Sequence, residues 1–441
     1  MKNEVKTLSI GEQMHQLMTL LYPICRSITG NGVRQSFEII KKYIPLTLYE
    51  VPTGTRVFDW TVPREWNIRD AYIKDSQGKK IVDFKESNLH VLNYSIPVHR
   101  KMELNELKKH LYSSPDHPDW IPYRTSYYKE AWGFCISDNH LVSLEDGEYE
   151  VFIDSSLENG SLTYGEYFIP GELSDEVLIF THTCHPSLCN DNLSGISLAV
   201  FLGRYLMQKK LRYSYRFVFA PTTIGSIVWL SQNEANVYKI HHGLVCTLLG
   251  DTRNFTYKRS RQHNAEIDQI VEYVLQNSGK EHKIIDFFPF GYDERQFCSP
   301  GLNLPVGCLT RATYGQYPEY HTSADNLEFV KASSLEESFD LFCEIILVLE
   351  SNRKYVNLSP KGEPQLGKRG LYSAIGANSQ NIDSQIALLW VLNSSDGDQS
   401  LLDISRKGMM NFFDIKKAAD RLVECGLLKE ENVETTMTPK G

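Results

Sequence analysis

The sequence has no long uninterrupted apolar stretch and no excess of positive charge. None of its apolar runs approaches the 18 or more residues of a membrane span, and its first residues lack the charged-then-apolar pattern of a secretion signal. Its 46 basic residues stand against 55 acidic ones, for a formal net charge of −9. Nucleic-acid binding across the whole surface is therefore not expected. Together these absences predict a cytoplasmic protein with no membrane partner.

Cysteine is present, but not in the pattern of a disulfide framework. The nine cysteines are an odd number and are scattered along the chain, which is typical of reduced thiols in the cytoplasm. Low-complexity tracts are also missing, and a content of 41% hydrophobic and 23% charged residues is that of a globular protein. Because 441 residues exceed one ordinary domain, we expect two or three domains.

The pattern of predicted strands and helices changes along the chain. Residues 145–340 alternate strand-like and helix-like runs, which predicts an α/β domain of three layers with a largely parallel sheet. Short β-type runs between turn residues predict a β-rich insert, whereas residues 350–375 have the composition of a linker. The predicted domains are an α/β domain at 1–55 and 121–355, a β-rich insert at 56–120, which includes a helix over 102–111, and a winged helix at 376–441.

The C-terminal segment has the pattern of a winged helix, with three predicted helices followed by a short β-wing. The last strand of this wing is predicted at 433–437. This fold usually binds DNA, which requires several phosphate-neutralising cations. Here the lysines and arginines of the second and third helices are balanced by aspartates and glutamates. We therefore favour protein–protein contact over nucleic-acid binding, including a homo-oligomer formed through the winged helix or through the β-rich insert as a lid.

Side chains that bind metals cluster directly after a buried apolar strand. His182, His185 and Asp191 lie there, just before an apolar helix. This is where open α/β sheets place their active sites. Asp251 follows a later strand, and His321 lies in a loop further along. Imidazole and carboxylate ligands suit Zn²⁺, which drives hydrolysis at neutral pH.

These stretches resemble the metal-site core of the M28-type zinc aminopeptidases. That resemblance rests on His182 followed by Asn190-Asp-Asn-Leu-Ser-Gly195, and on His321-Thr-Ser-Ala-Asp-Asn-Leu327. Over nearly its full length the chain more closely resembles the bacterial family DUF4910, whose inserted module is called DUF2172. The stretches that carry this second resemblance are Pro23-Ile-Cys-Arg-Ser-Ile-Thr-Gly-Asn-Gly32, Val57-Phe-Asp-Trp-Thr-Val-Pro63, Glu65-Trp-Asn-Ile68, Thr181-His-Thr-Cys-His-Pro-Ser187, Tyr257-Lys-Arg-Ser-Arg261 and Asp293-Glu-Arg-Gln296.

The resemblance implies an aminopeptidase-like fold of the phosphorylase/hydrolase type, an inserted lid and a C-terminal winged helix. Many members of the family are associated with polysaccharide-biosynthesis loci. Position by position, the resemblance implies that His182 and Asp251 hold a first metal, that Asp191 bridges two metals, and that His321 holds the second. His185 is additional to the aminopeptidase pattern. Either His182 or His185 could be the first ligand, and we favour His182 because it directly follows the strand.

The chain departs from the aminopeptidase pattern where the general base is expected. Those enzymes carry Glu-Glu after the corresponding strand, as base and ligand, and the DUF4910 pattern is Pro-Glu-Thr-Ile-Gly-Ser. Here the stretch reads Pro221-Thr-Thr-Ile-Gly-Ser226, and the Thr222 hydroxyl cannot accept a proton near pH 7 as a carboxylate can. Three explanations remain open: the protein is catalytically dead, Glu319 or Glu294 is the base, or the position is altered to trap a ligand. With Thr223 in place of the second Glu, one zinc ion is favoured over two.

Four arginines are candidates for binding an anionic group of the substrate, because Arg binds carboxylate and phosphate through two hydrogen bonds. The candidates are Arg26, Arg259, Arg261 and Arg295. The first functional hypothesis is a metal-dependent amide hydrolase of aminopeptidase type that acts on a small, peptide-like or sugar-linked substrate. The alternative, favoured by Thr222, is a catalytically impaired metal-binding sensor or assembly protein.

Overall fold

A computed structural model describes residues 8–371 and 379–431 of the chain. The chain divides into two compact units, residues 1–343 and residues 344–441. All the predicted site residues belong to the first unit. Among the described residues, the structure contains no helix with both the length and the apolar character needed to cross a membrane.

The first unit is built around an eight-stranded mixed sheet. Its strands are β1 Thr47–Pro52, β2 Ser161–Ile169, β3 Glu176–His182, β4 Ser214–Ala220, β5 Ile240–Cys246, β6 Phe255–Lys258, β7 His282–Ile285 and β8 Val306–Thr310. In space they follow the order β1-β2-β4-β3-β5-β8-β6-β7. The neighbours β4, β3, β5 and β8 are parallel, so their C-terminal ends meet at one edge.

Strand β3 lies inside this parallel group, and all of its residues are buried. Its run of apolar residues is typical of a parallel strand that is covered on both faces. The helix that follows begins at Gly195, where a Cβ atom would lie 2.3 Å from the carbonyl oxygen of Cys246. Glycine therefore lets this helix start directly against the end of β5. The helices of the first unit that have ten or more residues are Ile10–Leu21, Asn31–Ile40, Gly195–Leu206, Ile224–Asn233, Glu266–Asn277 and Ala332–Ser351, the last of which continues into the second unit.

A second, four-stranded antiparallel sheet has its own apolar core. Its strands, in spatial order, are Lys80–Asp83, Glu65–Lys74, Glu148–Glu158 and Val98–Glu103. The longest strand follows the predicted insert at 56–120, so residues from beyond that range complete the sheet. The helix predicted over 102–111 is largely wrong, because Val98–Glu103 pairs with Glu148–Glu158 and only Leu104–Leu107 forms an α-helical turn. Sheet pairing here overrides a local spacing of leucines that resembles a helix.

The second unit has the helices and the small sheet of a winged helix. The helices are Ser379–Ser394, Leu401–Gly408 and Phe412–Glu424, and the strands are Lys354–Asn357, Asp396–Ser400 and Leu428–Glu430. The first of these strands lies within the predicted linker at 350–375 and forms the middle of the sheet, so the linker prediction is wrong at that point. The wing strand predicted at 433–437 lies outside the described residues.

Candidate metal centre

Two histidines and an aspartate meet at the C-terminal end of β3. His182 is the last residue of the strand. Asp191 lies in the segment Cys189–Ser194 that precedes the next helix, and its own backbone is not helical. The ligand atoms of His182, His185 and Asp191 all lie within 4.8 Å of one another, and all three residues are buried. Nε2 of His182 is 2.8 Å from Oδ1 of Asp191, and Nε2 of His185 is 3.7 Å from Oδ2.

His321 joins the same carboxylate from a later loop. Its Nε2 lies 2.9 Å from Oδ2 of Asp191. The backbone of His321 has a φ of +56°, in the left-handed region that non-glycine residues rarely adopt. The N–H of Tyr123 donates to the His321 carbonyl at 2.7 Å, and the Tyr123 ring lies 5.1 Å from the rings of both His185 and His321. Three predicted ligands, His182, His185 and His321, therefore surround the carboxylate of Asp191.

Two members of this group, Asp191 and His185, have pKa values shifted in the direction that favours metal binding. Burial would raise the pKa of Asp191, but His185, His182 and His321 outweigh burial and hold that pKa well below its usual range. Burial lowers the pKa of His185 to about 3, so its imidazole is neutral. Nδ1 of His182 is buried and has no hydrogen-bond partner among the described residues. Because metals bind carboxylates and neutral imidazoles, this donor set fits Zn²⁺.

Asp325 fixes the backbone that carries Asp191. Its Oδ1 accepts hydrogen bonds from the N–H groups of Cys189 at 3.1 Å and Asn190 at 2.6 Å, and its Oδ2 accepts one from the N–H of Asp191 at 2.9 Å. Asp325 is fully buried. Asp325 is not a member of the ligand group, but its three hydrogen bonds fix the backbone from which the Asp191 side chain extends.

The carboxylate of Asp251 is engaged by donors of the protein itself. Its Oδ2 accepts from the side-chain amide of Asn190 at 2.8 Å, and its Oδ1 accepts from the N–H of Arg253 at 2.7 Å. Within the described part of the chain, the group formed by His182, His185 and Asp191 does not include it. Its role as a metal ligand stays a prediction. Its observed hydrogen bond holds the side chain of Asn190, the residue before Asp191.

Another carboxylate lies beside the threonine that stands where the base was expected. Thr222 follows β4, and its hydroxyl interacts with the carboxylate of Asp293. Oδ1 of Asp293 accepts from the hydroxyl of Ser226 at 2.7 Å, while Oδ2 is buried and without a hydrogen-bond partner among the described residues. Burial raises the pKa of Asp293 to about 6, against the opposing charge of His182. The structure thus brings Asp293 to this place from a distant part of the chain.

The two glutamates predicted as alternative bases each pair with a cation. Glu319 lies 3.2 Å from Nη2 of Arg253. Glu294 is fully buried and pairs with Nζ of Lys258. Sequence reasoning did not select Asp293 as a base, although the stretch Asp293-Glu-Arg-Gln296 was part of the family resemblance. The missing signal was its contact with Thr222, which only the fold creates.

Arg26 is the predicted substrate-binding arginine that touches the metal centre. It is 1% exposed, and its Nε donates to the backbone carbonyl of His185 at 3.0 Å. Its Nη1 donates to the carbonyl of Leu21 at 2.6 Å. Burial lowers the pKa of Arg26 to about 10, which leaves the guanidinium charged at neutral pH. In the structure Arg26 therefore positions the His185 loop.

The other three arginines belong to a different part of the first unit. Arg259 pairs with Glu272 and Asp286. Arg261 donates to the side-chain oxygen of Asn303 at 2.9 Å. Arg295 lies over the ring of Phe290, 5.8 Å from its centroid. Substrate binding by these arginines stays a prediction.

Relatives of the chain match both units. The family model DUF4910, a domain of unknown function, matches residues 15–352, and a winged helix-turn-helix model matches residues 353–430. A protein of Clostridium acetobutylicum is 56% identical over 419 residues, which are 95% of this chain and 96% of that protein. It is provisionally named a polysaccharide biosynthesis protein with an aminopeptidase-like domain.

Solved structures show the same architecture. The crystal structure of a provisionally named peptidase from C. acetobutylicum matches with a TM-score of 0.91 and 55% identity, over 96% of each chain. A zinc aminopeptidase from Bacillus subtilis matches with a TM-score of 0.56 and 11% identity, over 77% of this chain and 94% of that one. An M28 peptidase precursor from Shewanella amazonensis also has a TM-score of 0.56, at 12% identity, over 78% and 93% of the two chains.

The two distant matches show an aminopeptidase fold, as the sequence predicted, and their low identity shows nothing beyond the fold. The family model spans well over half of the chain, and the winged helix follows it directly. This protein belongs to the DUF4910 family.

Proposed function

We propose that this chain is a zinc-dependent hydrolase of an amide bond in a small, peptide-like or sugar-linked substrate. The observation that carries the proposal is the buried group of His182, His185 and Asp191 at the end of a central parallel strand. The name of the C. acetobutylicum relative and the zinc aminopeptidase among the fold neighbours support it.

His182, His185 and Asp191 would hold one ion, and His321 would contact it from beside the same carboxylate. A bound zinc ion supplies a Lewis acid that polarises a carbonyl and makes water more acidic. One ion is favoured over two because Thr222 and Thr223 provide no carboxylate where aminopeptidases have two. Asp325 and Arg26 hold the backbone on which Asp191 and His185 are placed.

Asp293 would accept the proton of the attacking water. Its free Oδ2 is buried next to the place where the base is missing. A pKa of about 6 leaves this carboxylate mostly ionised at pH 7 and still basic enough to take a proton. The hydroxyl of Ser226 fixes the orientation of the group through Oδ1. A base supplied from another loop would thus compensate for Thr222.

A metal-binding sensor or assembly protein without catalysis is the second candidate. Thr222 is the observation that favours it, because a hydroxyl is a poor base near pH 7. The two candidates share the metal centre and differ in whether the bound ion takes part in a reaction.

Metal content and amide hydrolysis, measured on the same preparations, test the proposal. Wild-type protein loaded with Zn²⁺ should retain it through gel filtration and hydrolyse members of a panel of amino-acid anilides and aminoacylated sugars. Asp191→Asn should lose both properties, because it removes the charge that three imidazoles surround. His242→Gln is the matched control: it alters a buried histidine near the start of β5 and should change neither.

Circular dichroism would establish that both variants are folded. Full zinc retention by Asp191→Asn would contradict the ligand assignment. Stoichiometric zinc without hydrolysis in the wild type, combined with hydrolysis by Thr222→Glu, would favour the sensor instead.

A further inference from the structure

A cavity of about 260 Å³ lies next to the metal centre. Strands β6, β7 and β8 contribute to its walls, and so does the loop that contains Tyr292 and Glu294. Tyr292 connects the two spaces, because its ring stacks on His182 with the centroids 5.5 Å apart and also lines the cavity. Asp293 and Glu294 are adjacent in the chain. Asp293 interacts with the hydroxyl of Thr222, whereas Glu294 lines the cavity.

A buried ion pair lines this cavity. Glu294 is fully buried, and its Oε1 pairs with Nζ of Lys258. The same Nζ donates to the carbonyls of Phe288 at 3.1 Å and Phe290 at 2.9 Å. Two of the three donors of this ammonium group are thus used by carbonyls, and its charge is balanced by Glu294, so Lys258 offers little to an anionic ligand. Gly291 permits this packing, since its φ is +146° and a Cβ atom there would lie 2.7 Å from Nζ of Lys258.

Four buried polar atoms of residues that line the cavity have no hydrogen-bond partner in the described part of the chain: both carboxylate oxygens of Glu294, the hydroxyl of Tyr292 and Oγ1 of Thr313. Buried polar groups are almost always satisfied in folded proteins, by protein, water or ligand, so unpaired ones at a cavity mark where water binds or where a ligand can displace it. Because a carboxylate oxygen only accepts, the ligand must donate a hydrogen bond to Glu294.

The charges of the cavity select among donors. Lys258 already neutralises Glu294, so an ammonium ligand would gain little from the carboxylate and would be repelled by Lys258. An anionic ligand would meet the carboxylate and would gain little from Lys258. A neutral hydroxyl suits the unpaired atoms of Glu294 and Thr313, since it can donate to Glu294 and either donate to or accept from Thr313. The rings of Phe288, Tyr292 and Tyr314 add flat apolar surfaces to the walls.

We infer that this cavity binds a neutral ring that carries several hydroxyl groups, the sugar part of the substrate. The inference rests on the proposed function, because it assigns the sugar-linked portion of that substrate to a place beside the metal centre. The amide bond would then lie on the His182 side of Tyr292, and the sugar on the Glu294 side.

Binding to the metal-free full-length chain tests this inference apart from catalysis. The probes are the methyl glycosides of glucose, galactose and N-acetylglucosamine, with cyclohexylammonium and cyclohexanecarboxylate as ring-shaped ions, all measured by ligand-observed NMR titration. At least one glycoside should bind more tightly than either ion. Thr313→Val should weaken that glycoside about 3- to 10-fold, as expected for the loss of one hydrogen bond. The matched control Thr19→Val, on an exposed helix position, should not change it.

Thr313→Val leaves the ion pair of Glu294 and Lys258 intact, so it avoids the folding defect that a change of either partner risks. Failure of every glycoside to bind, tighter binding of either ion, or equal glycoside binding by wild type and Thr313→Val would overturn the inference. The proposed function is judged separately, by hydrolysis of sugar-free anilides with the zinc-loaded wild type. Hydrolysis without glycoside binding would leave the hydrolase standing, and binding without hydrolysis would leave the sugar site standing.

Discussion

In the proposed function, Asp293 takes the role of general base that a carboxylate at the position of Thr222 has in aminopeptidases. Thr222 lacks the carboxylate that aminopeptidases carry after the corresponding strand, yet its hydroxyl interacts with the Asp293 carboxylate. What matters for proton transfer is the position and the pKa of a carboxylate, not the strand that supplies it. The absence of a carboxylate at Thr222 is therefore compatible with the proposed hydrolase.

Asp293→Asn should lower kcat by about 10²- to 10⁴-fold, the range that general acid–base catalysis contributes. Zinc content should be unchanged, because Asp293 is not part of the ligand group. In the wild type, kcat/KM should rise with pH through about 6 as Asp293 loses its proton, and this rise should vanish in the variant. Steady-state kinetics between pH 5 and 8 measure both effects. A large loss in Glu319→Gln, with Asp293→Asn near normal, would show that the base was misassigned.

At the residue scale, the sequence predicted which histidines and aspartates come together at the candidate metal centre. It did not predict which neighbouring side chains they contact. His182, Asp191 and His321 follow from ligand chemistry at strand ends and from family motifs, and the structure brings them together. The engagement of Asp251 with Asn190, and of Asp293 with Thr222, depends on how separate loops meet. No local pattern contains that information.

At the scale of elements, Arg34 connects a helix to the two larger sheets of the first unit. It lies on helix Asn31–Ile40 and donates through Nη2 to Glu65 at 2.6 Å and through Nε to Glu50 of β1 at 3.0 Å. Glu65 begins an inner strand of the second sheet, Glu65–Lys74. The hydrogen bond from Arg34, partly opposed by burial, lowers the pKa of Glu65 to about 2.

Arg34→Met should lower the free energy of unfolding at pH 7 by about 1 kcal/mol, the upper end for ion pairs that are only partly shielded from solvent. A carboxyl whose folded pKa is lowered stabilises the fold above its unfolded pKa of about 4.5, and this contribution is lost as the pH falls towards 2. The difference between wild type and variant should therefore shrink between pH 5 and pH 3. Urea unfolding at several pH values measures it. Arg69→Met, which breaks an exposed pair with Asp154, is the control and should have little effect. A difference that stays constant with pH would contradict the account.

Strands were predictable where the local pattern of apolar residues matched the place of the strand in the sheet. The buried strand β3 was evident from its apolar run, because a parallel strand covered on both faces needs one. Strand β7 carries little local pattern, since its four residues are partly exposed at the edge of the sheet. Strand Lys354–Asn357 was missed, because it lies in a stretch of linker-like composition and is stabilised by partners distant in sequence.

At the scale of the whole molecule, the aminopeptidase fold and the C-terminal winged helix were both predicted and are both confirmed. Alternating strands and helices indicate an α/β domain on physical grounds, whereas the specific fold came from motifs spread over the chain. The winged-helix unit remains without an assigned partner. The net charge of −9 still argues against DNA as that partner.

The most direct test of the account is a zinc titration of the metal-free full-length protein, with the hydrolysis of a responsive amide substrate followed at each addition. The account predicts that activity rises in proportion to bound zinc and saturates at one ion per chain. Saturated zinc binding with no hydrolysis of any amide in the panel, or hydrolysis that is independent of zinc, would contradict it.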